Sequence, residues 1–321
     1  MPKRVTGAPF SVTRFLAPRY WLTWIGLGIT WALAQLPYRW LMRLGRGLGR
    51  MMGALPGGRR HVATVNLSLC FPELSGAQRE EVLRKHFESL GMALMETALC
   101  WWAPPARLHS LLVQVQGLEH LEKALGQGGE GGNGGGKGAM LLIAHFTTME
   151  MAGTLLSTQV AMHVTYRQHK NALFDEVMRR ARLSHHDAVL IEHDNIRAML
   201  RTLKHNNALW YAPDQNYAGK HSTFAPFFGI PAATMTGTAE MARISGAPVI
   251  PLFPERLPDG RGYRLTLQPA LEGFPTGDAT QDAARINALF ESHVRRVPEQ
   301  YLWVHRRFKT RPAGEGSVYQ K

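Results

Sequence analysis

The chain has 321 residues, 45% of them hydrophobic, which suits one large α/β domain or two smaller ones. A formal charge of +13 points to a polyanionic partner: nucleic acid, anionic lipid or an acidic carrier protein. Two cysteines, Cys70 and Cys100, exclude a disulfide framework and a thiolate zinc site, and fit a reducing compartment.

Residues 1–19 are basic, with Lys3, Arg4, Arg14 and Arg19. Residues 20–38 carry no charge, are about long enough to cross a bilayer core, and have Trp21, Trp24, Tyr38 and Trp40 near their ends like interfacial aromatic belts. No small-residue cleavage site follows, so the stretch reads as an uncleaved anchor. It either spans the bilayer or lies in it as a re-entrant or interfacial helix, since Thr23, Thr30 and Gln35 interrupt its apolarity. Arginines at spacings of three to four from Arg39 to Arg50 predict a helix lying on an anionic membrane surface, or a solvated helix face. Residues 1–60 are therefore expected to form a membrane anchor with a basic amphipathic segment, and 61–321 the remaining domain. A helix over 75–100 is capped by Ser75 and striped by Val82, Phe87, Leu90, Leu94 and Leu99.

The glycine-rich stretch 126–138 partly matches a phosphate-binding loop. It fails because Gly138 stands where a hydroxyl is needed and a strand follows where a helix should begin. It reads as a flexible loop. The run 139–144 is short, apolar throughout and ends in His145, as a strand buried on both faces of a parallel sheet would. Strands are then expected at 162–166, 188–191, 208–212 and 248–253, with an edge strand at 262–268. Helices are expected at 173–183, 195–205, 235–245 and 281–296. This alternation predicts an α/β fold with a mainly parallel central sheet flanked by helices.

His145 falls at the carboxyl end of a strand, where open α/β sheets place their chemistry, and Glu150 follows five residues later. If the chain turns between them, Glu150 can orient His145 as a general base; otherwise they are a strand-end histidine and a solvated glutamate. Arg167 also follows a strand, and is either a phosphate ligand or a surface ion-pair partner. Asp214 and Gln215, at another strand end, either orient a cation or sugar hydroxyl or cap the loop. The loop 216–231 mixes Lys220 with Phe224, Phe227 and Phe228: a lipid-holding loop, or core. Arg306 and Arg307 belong to a basic-aromatic cluster over 303–309 suited to phosphates or a membrane surface, or to a solvated tail. The histidines at 163, 169, 185, 186 and 193 do not form a zinc motif, so no metal is expected.

Long phrases carry a resemblance. They are PRYWLTWIGLGI (18–29), NLSLCFPELS (66–75), HFESLGMALMETALCWW (86–102), His145-x4-Glu150, TYRQHKNALFDEVMRRAR (165–182), YAPDQNYAGKHSTFAPFFGIPAATMTGTAEMAR (211–243), APVIP (247–251) and YLWVHRRFKTRP (301–312). The sequence resembles the lipid A biosynthesis acyltransferases, the late lauroyl and myristoyl transferases of Gram-negative bacteria, and looks most like the lauroyl type. The resemblance implies a glycerolipid-acyltransferase-like α/β core and an inner-membrane location with the active site facing the cytoplasm. It implies transfer of an acyl chain from acyl carrier protein to a hydroxyacyl chain of Kdo(2)-lipid IV(A), with no cofactor and no nucleic-acid partner. His145 and Glu150 would be catalytic. Arg167, Asp214, Gln215, Lys220, Arg306 and Arg307 would bind substrate. The longer glycine loop is the one departure. A glycerolipid acyltransferase and a non-catalytic protein that binds anionic lipid are the other readings.

Overall fold

Short apolar runs separated by amphipathic helices settle into a seven-stranded sheet, because strands apolar on every side chain must be covered on both faces. The computed structural model describes residues 10–126, 136–184 and 189–320. In chain order come α1 (Trp21–Ala34), α2 (Tyr38–Ala54), α3 (Gly58–Cys70), α4 (Gly76–Trp102), α5 (Pro105–His109), β1 (Leu112–Gln116), α6 (Leu118–Ala124), β2 (Ala139–Leu142), α7 (Met149–Ser157) and β3 (Met162–Tyr166). They are followed by α8 (Ala172–Ser184), β4 (Val189–Glu192), α9 (Ile196–Lys204), β5 (Ala208–Tyr211), β6 (Ser222–Phe227), β7 (Ile230–Met235), α10 (Gly237–Ser245), β8 (Val249–Arg256), β9 (Tyr263–Leu267) and α11 (Ala279–Arg296).

The strand order is β1-β9-β8-β2-β5-β3-β4, with β8 and β9 antiparallel and the other pairings parallel. The apolar run 139–144 is fully buried at the sheet centre. Two expectations need correction. The strand near 262–268 is not at an edge, because β1 pairs outside it. The segment expected as a lipid-holding loop contains a separate hairpin, β6–β7. Phe228 and Gly229 turn that hairpin with positive φ of 52° and 75°, and Phe227 is buried against Tyr301 and Phe308.

Of the two forms expected for residues 20–38, the bilayer-spanning one is not met by the helix α1. α1 has 14 residues, about 21 Å at 1.5 Å per residue, against a hydrocarbon core of about 30 Å. No described helix is long and apolar enough to cross a membrane. Pro37 cannot continue the helix, and two of the polar residues that interrupt the stretch, Thr23 and Thr30, are tied to other elements, while Gln35 is exposed and bonds to the Trp31 carbonyl of its own helix. Thr23 Oγ1 accepts from Asn171 Nδ2 at 2.7 Å, and Thr30 Oγ1 from Trp102 Nε1 at 3.0 Å. Arg107 caps the end of α1 by donating to the Ala34 and Leu36 carbonyls. The opposite side is bare: Trp21, Leu22, Ile25, Ile29 and Trp31 are all more than half exposed.

Helix α4 begins with a capping box, in which Ser75 Oγ accepts from the Gln78 N–H and Gln78 Oε1 from the Ser75 N–H. It then packs against α2 at very short range. A Cβ on Gly91 would lie 2.0 Å from the Gly45 carbonyl oxygen and 2.5 Å from the Gly49 nitrogen, so only hydrogen fits there. Gly47, on the outer side of α2, has nothing within 4 Å. Gly91→Ala should therefore destabilise the fold by about 1–3 kcal/mol or more through overpacking. Gly47→Ala should be neutral or stabilising by about 0.5–1 kcal/mol through helix propensity. Denaturant unfolding of the two variants in detergent, read by circular dichroism, checks both signs.

Candidate active site

Strands β2 and β5 lie side by side and parallel, with Leu142 paired to Tyr211. Three residues beyond each partner stand His145 and Asp214, so the register itself brings the two to one level at the carboxyl edge of the sheet. His145 Nδ1 and Asp214 Oδ1 are 2.6 Å apart, and the His145 backbone N–H donates to Asp214 Oδ2 at 3.0 Å. Tyr301 Oη donates to the same Oδ2 at 3.1 Å. Asp214 is 2% exposed, whereas the His145 side chain is 27% exposed. An ionised carboxylate has no proton to give, so Nδ1 carries the hydrogen and Nε2 keeps its lone pair.

The electrostatics agree with this arrangement. Burial pulls the His145 imidazole down, but the charge and hydrogen bond of Asp214 outweigh it, and the net shift is upward. Burial pushes the Asp214 carboxyl up, yet the His145 charge, its two hydrogen bonds and the Arg307 charge hold it below its ordinary value. Beside them His305 is drawn down to about 4, chiefly by burial, and its neutral Nε2 accepts the Asn216 N–H at 3.1 Å.

The turn after His145 is laced by the segment 300–302. The Thr147 N–H donates to the Gln300 carbonyl at 2.7 Å, the Leu302 N–H to the His145 carbonyl at 3.0 Å, and Phe146 forms an antiparallel bridge with Tyr301. Helix α7 starts at Met149, and no side chain caps its N-terminus. Its first-turn N–H groups thus lie only a few residues past the histidine.

Glu150 is not the partner of His145. It sits in the first turn of α7 and is engaged by Arg182 of α8, with Nε–Oε1 at 3.0 Å and Nη2–Oε2 at 2.6 Å. The helix turns its carboxylate toward α8, beside a small cavity of about 70 Å³ lined by Met149, Thr154, Val164 and Trp210. The substrate-facing role expected of Asp214 is corrected too, since its oxygens are taken by His145 and Tyr301. So is that of Arg307, which is 2% exposed and donates to the Ala233 carbonyl, Thr234 Oγ1 and Asn287 Oδ1. There it fixes the hairpin β6–β7 to α11 and supports Asp214 electrostatically.

Arg167 is exposed directly after β3, the strand next to β5, on the same sheet edge as His145. Gln215 is half-buried beside Asp214, whereas Lys220 and Arg306 are exposed. Arg306 lies over the Tyr319 ring at 5.9 Å. Among the described residues no three His, Cys, Asp or Glu side chains gather as a metal site. His185, His186 and most of the glycine-rich stretch lie outside the described residues. The roles of Asp214 and Tyr301 in orienting His145 escaped the sequence reading. The available signal was that Asp214, like His145, closely follows a buried apolar run.

Comparison with known proteins fits this geometry. The family model described as bacterial lipid A biosynthesis acyltransferase matches residues 9–310. The chain is 43% identical over 306 residues to the lipid A biosynthesis palmitoleoyltransferase of Escherichia coli K12, covering 95% of this chain and 96% of that protein. It is 40% identical over 316 residues to the lauroyltransferase of the same organism, covering 98% and 100%. To the myristoyltransferase it is 29% identical over 310 residues, covering 96% and 93%. The chain belongs to the bacterial lipid A biosynthesis acyltransferase family.

Proposed function

We propose that this lipid A acyltransferase moves a fatty acyl chain, lauroyl or one of similar length, from a thioester of acyl carrier protein to a hydroxyacyl chain of Kdo(2)-lipid IV(A). The observation that carries the reading is a half-open imidazole whose Nδ1 is held by a buried carboxylate, in a chain of this family. His145 Nε2 takes the proton of the acceptor hydroxyl as that oxygen attacks the thioester carbonyl. The C–O bond forms, the C–S bond breaks, and the proton passes from His145 to the departing thiolate. The uncapped first turn of α7 supplies N–H groups for the negative oxygen of the tetrahedral intermediate. Asp214 fixes the tautomer and stabilises the imidazolium. Glu150, held by Arg182, positions α7. Arg167, Gln215, Lys220 and Arg306 remain the candidates for binding the phosphates and carboxylates of the acceptor. The step uses only the groups of the two substrates and the protein.

The protein is further proposed to sit on the cytoplasmic face of the bacterial inner membrane as a monotopic enzyme. Among the described residues, the large apolar side chains that stay exposed concentrate between Val12 and Leu55, on α1, α2 and the segment before them. Arg14, Arg19, Arg39 and Arg43 are interleaved with them and suit anionic headgroups. Exposed positive charge also suits an acidic carrier protein.

Mass spectrometry of Kdo(2)-lipid IV(A) incubated with the protein and a series of acyl carrier protein thioesters tests the reaction. A gain of one acyl chain is expected, lost by at least about 10²-fold in His145→Ala; no gain with any donor would refute the reading. The pH profile separates the two carboxylates. A raised His145 pKa means that activity falls as pH drops through it, because the protonated ring cannot accept a proton. In Asp214→Asn burial acts unopposed, so the acid limb of kcat/KM should move to lower pH while the rate falls about 10²–10⁴-fold. In Glu150→Gln the limb should stay where it is in the wild type. Leu22→Glu with Ile25→Glu should weaken binding to anionic vesicles at least about tenfold in a flotation assay, since each buried aliphatic side chain contributes about 1.5–3 kcal/mol.

A further inference from the structure

At the carboxyl end of β8 a polar crevice of about 530 Å³ opens between α2, α4 and the segment 297–300. Its wall holds an unusual charge arrangement. Arg46 and Arg50 of α2 and Arg84 of α4 all converge on the single carboxylate of Glu88. Arg50 Nε is 2.7 Å from it, Arg46 Nε is 3.8 Å away, and Arg84 makes a direct ion pair. The Glu88 side chain is 9% exposed, while those of Arg46, Arg50 and Arg84 are 45%, 59% and 42% exposed. Arg84 is also paired with Glu81. That leaves Arg46 and Arg50 to share what remains of one carboxylate, with spare guanidinium donors lining the crevice.

Two further features give the crevice an occupant. Its inner wall is continuous with the histidine turn: Arg256 Nη1 donates to Ser89 Oγ at 2.7 Å, and Ser89 Oγ bonds Thr147 Oγ1 at 2.7 Å, two residues from His145. Arg256 is itself fixed by buried Glu96, so this wall is rigid. The outer wall is α2, whose Trp40, Leu44 and Met51 are exposed on the apolar side. The crevice therefore lies between the lipid-facing helices and the catalytic turn. Planar guanidinium forks recognise phosphate oxygens, and Arg46 and Arg50 bring two positive charges to the one carboxylate, Glu88, that they share.

We propose that this crevice binds a phosphate group of the lipid acceptor through Arg46, Arg50 and Arg84, with Glu88 standing in as their anion when the site is free. The proposal rests on the reading that the chain acylates a phosphorylated lipid. The same chemistry could be supplied by the phosphodiester of the donor's carrier arm, and the test separates the two sources.

The test compares wild type with the Arg46→Gln/Arg50→Gln double variant and with Glu88→Gln. Equilibrium binding of acceptor lipid in detergent micelles and the KM of each substrate are measured with the intact acceptor and with acceptor stripped of phosphate by a phosphatase. In the wild type, stripping should weaken acceptor binding about tenfold or more, as expected for charge-assisted bonds at half-exposed arginines. The double variant should bind intact acceptor about tenfold more weakly, lose sensitivity to stripping and keep the donor KM. Glu88→Gln should bind intact acceptor more tightly, a direction that a merely structural role would not produce. A double variant that still discriminates intact from stripped acceptor would overturn the proposal, as would a rise confined to the donor KM. Phosphate-dependent binding without transfer would refute the acylation reading and leave this site standing.

Discussion

The parallel pairing of β2 with β5 is the constraint on which the site depends. Once Leu142 faces Tyr211, His145 and Asp214 must arrive together at the sheet edge. The backbone then does half the work of the dyad, because the His145 N–H already holds one oxygen of Asp214 before the ring holds the other. A carboxylate that accepts three hydrogen bonds and lies near a buried arginine stays ionised in an apolar setting, and that charge keeps the imidazole in one tautomer. A one-residue slip of β2 would send His145 to the other face of the sheet. Close packing of the buried side chains of both strands opposes that slip.

The N-terminal helices obey a different constraint. α1 is too short to span a bilayer and too apolar on one side to be comfortable in water. Thr23 and Thr30 fasten it to Asn171 and Trp102, and Arg107 holds the backbone carbonyl of Ala34 at its end. α2 is fastened by the absence of side chains, since Gly45 and Gly49 let it meet Gly91 of α4 backbone to backbone. Close contact of this kind puts the arginines of α2 within reach of Glu88.

Sequence legibility followed the range of the forces involved. The central strands and most helices could be read because apolar runs and helical stripes are local patterns. β3 matched the expected 162–166, and the Ser75 cap was present. His145 stood out for the same reason. Its partner did not, because the choice between Glu150 and Asp214 is made by strand register, and register is not written in either segment alone. Glu150 looked suitable by proximity along the chain, yet the helix between carries its carboxylate to Arg182. Arg307 looked like a surface cation beside Arg306, and only the packing of α11 against the hairpin reveals its burial. The hairpin itself was hidden because prolines and phenylalanines gave it no clean alternation. The length, lack of charge and flanking aromatics of 20–38 suggested a helix that spans the bilayer or lies in its surface, and the break before Pro37 limits the helix to 14 residues.

The lacing of the histidine turn has a consequence for how the protein matures. Asp214 and Tyr301 are 87 residues apart, and Asn66, whose amide donates to the Trp303 carbonyl, is 237 residues from it. Contacts so remote in sequence form late, because chain closure must precede them. A chain with β2 and β5 already paired but residues 300–303 undocked has the imidazole without its full brace. The bracing of His145 is thus tied to contacts that must bridge long stretches of chain before they form.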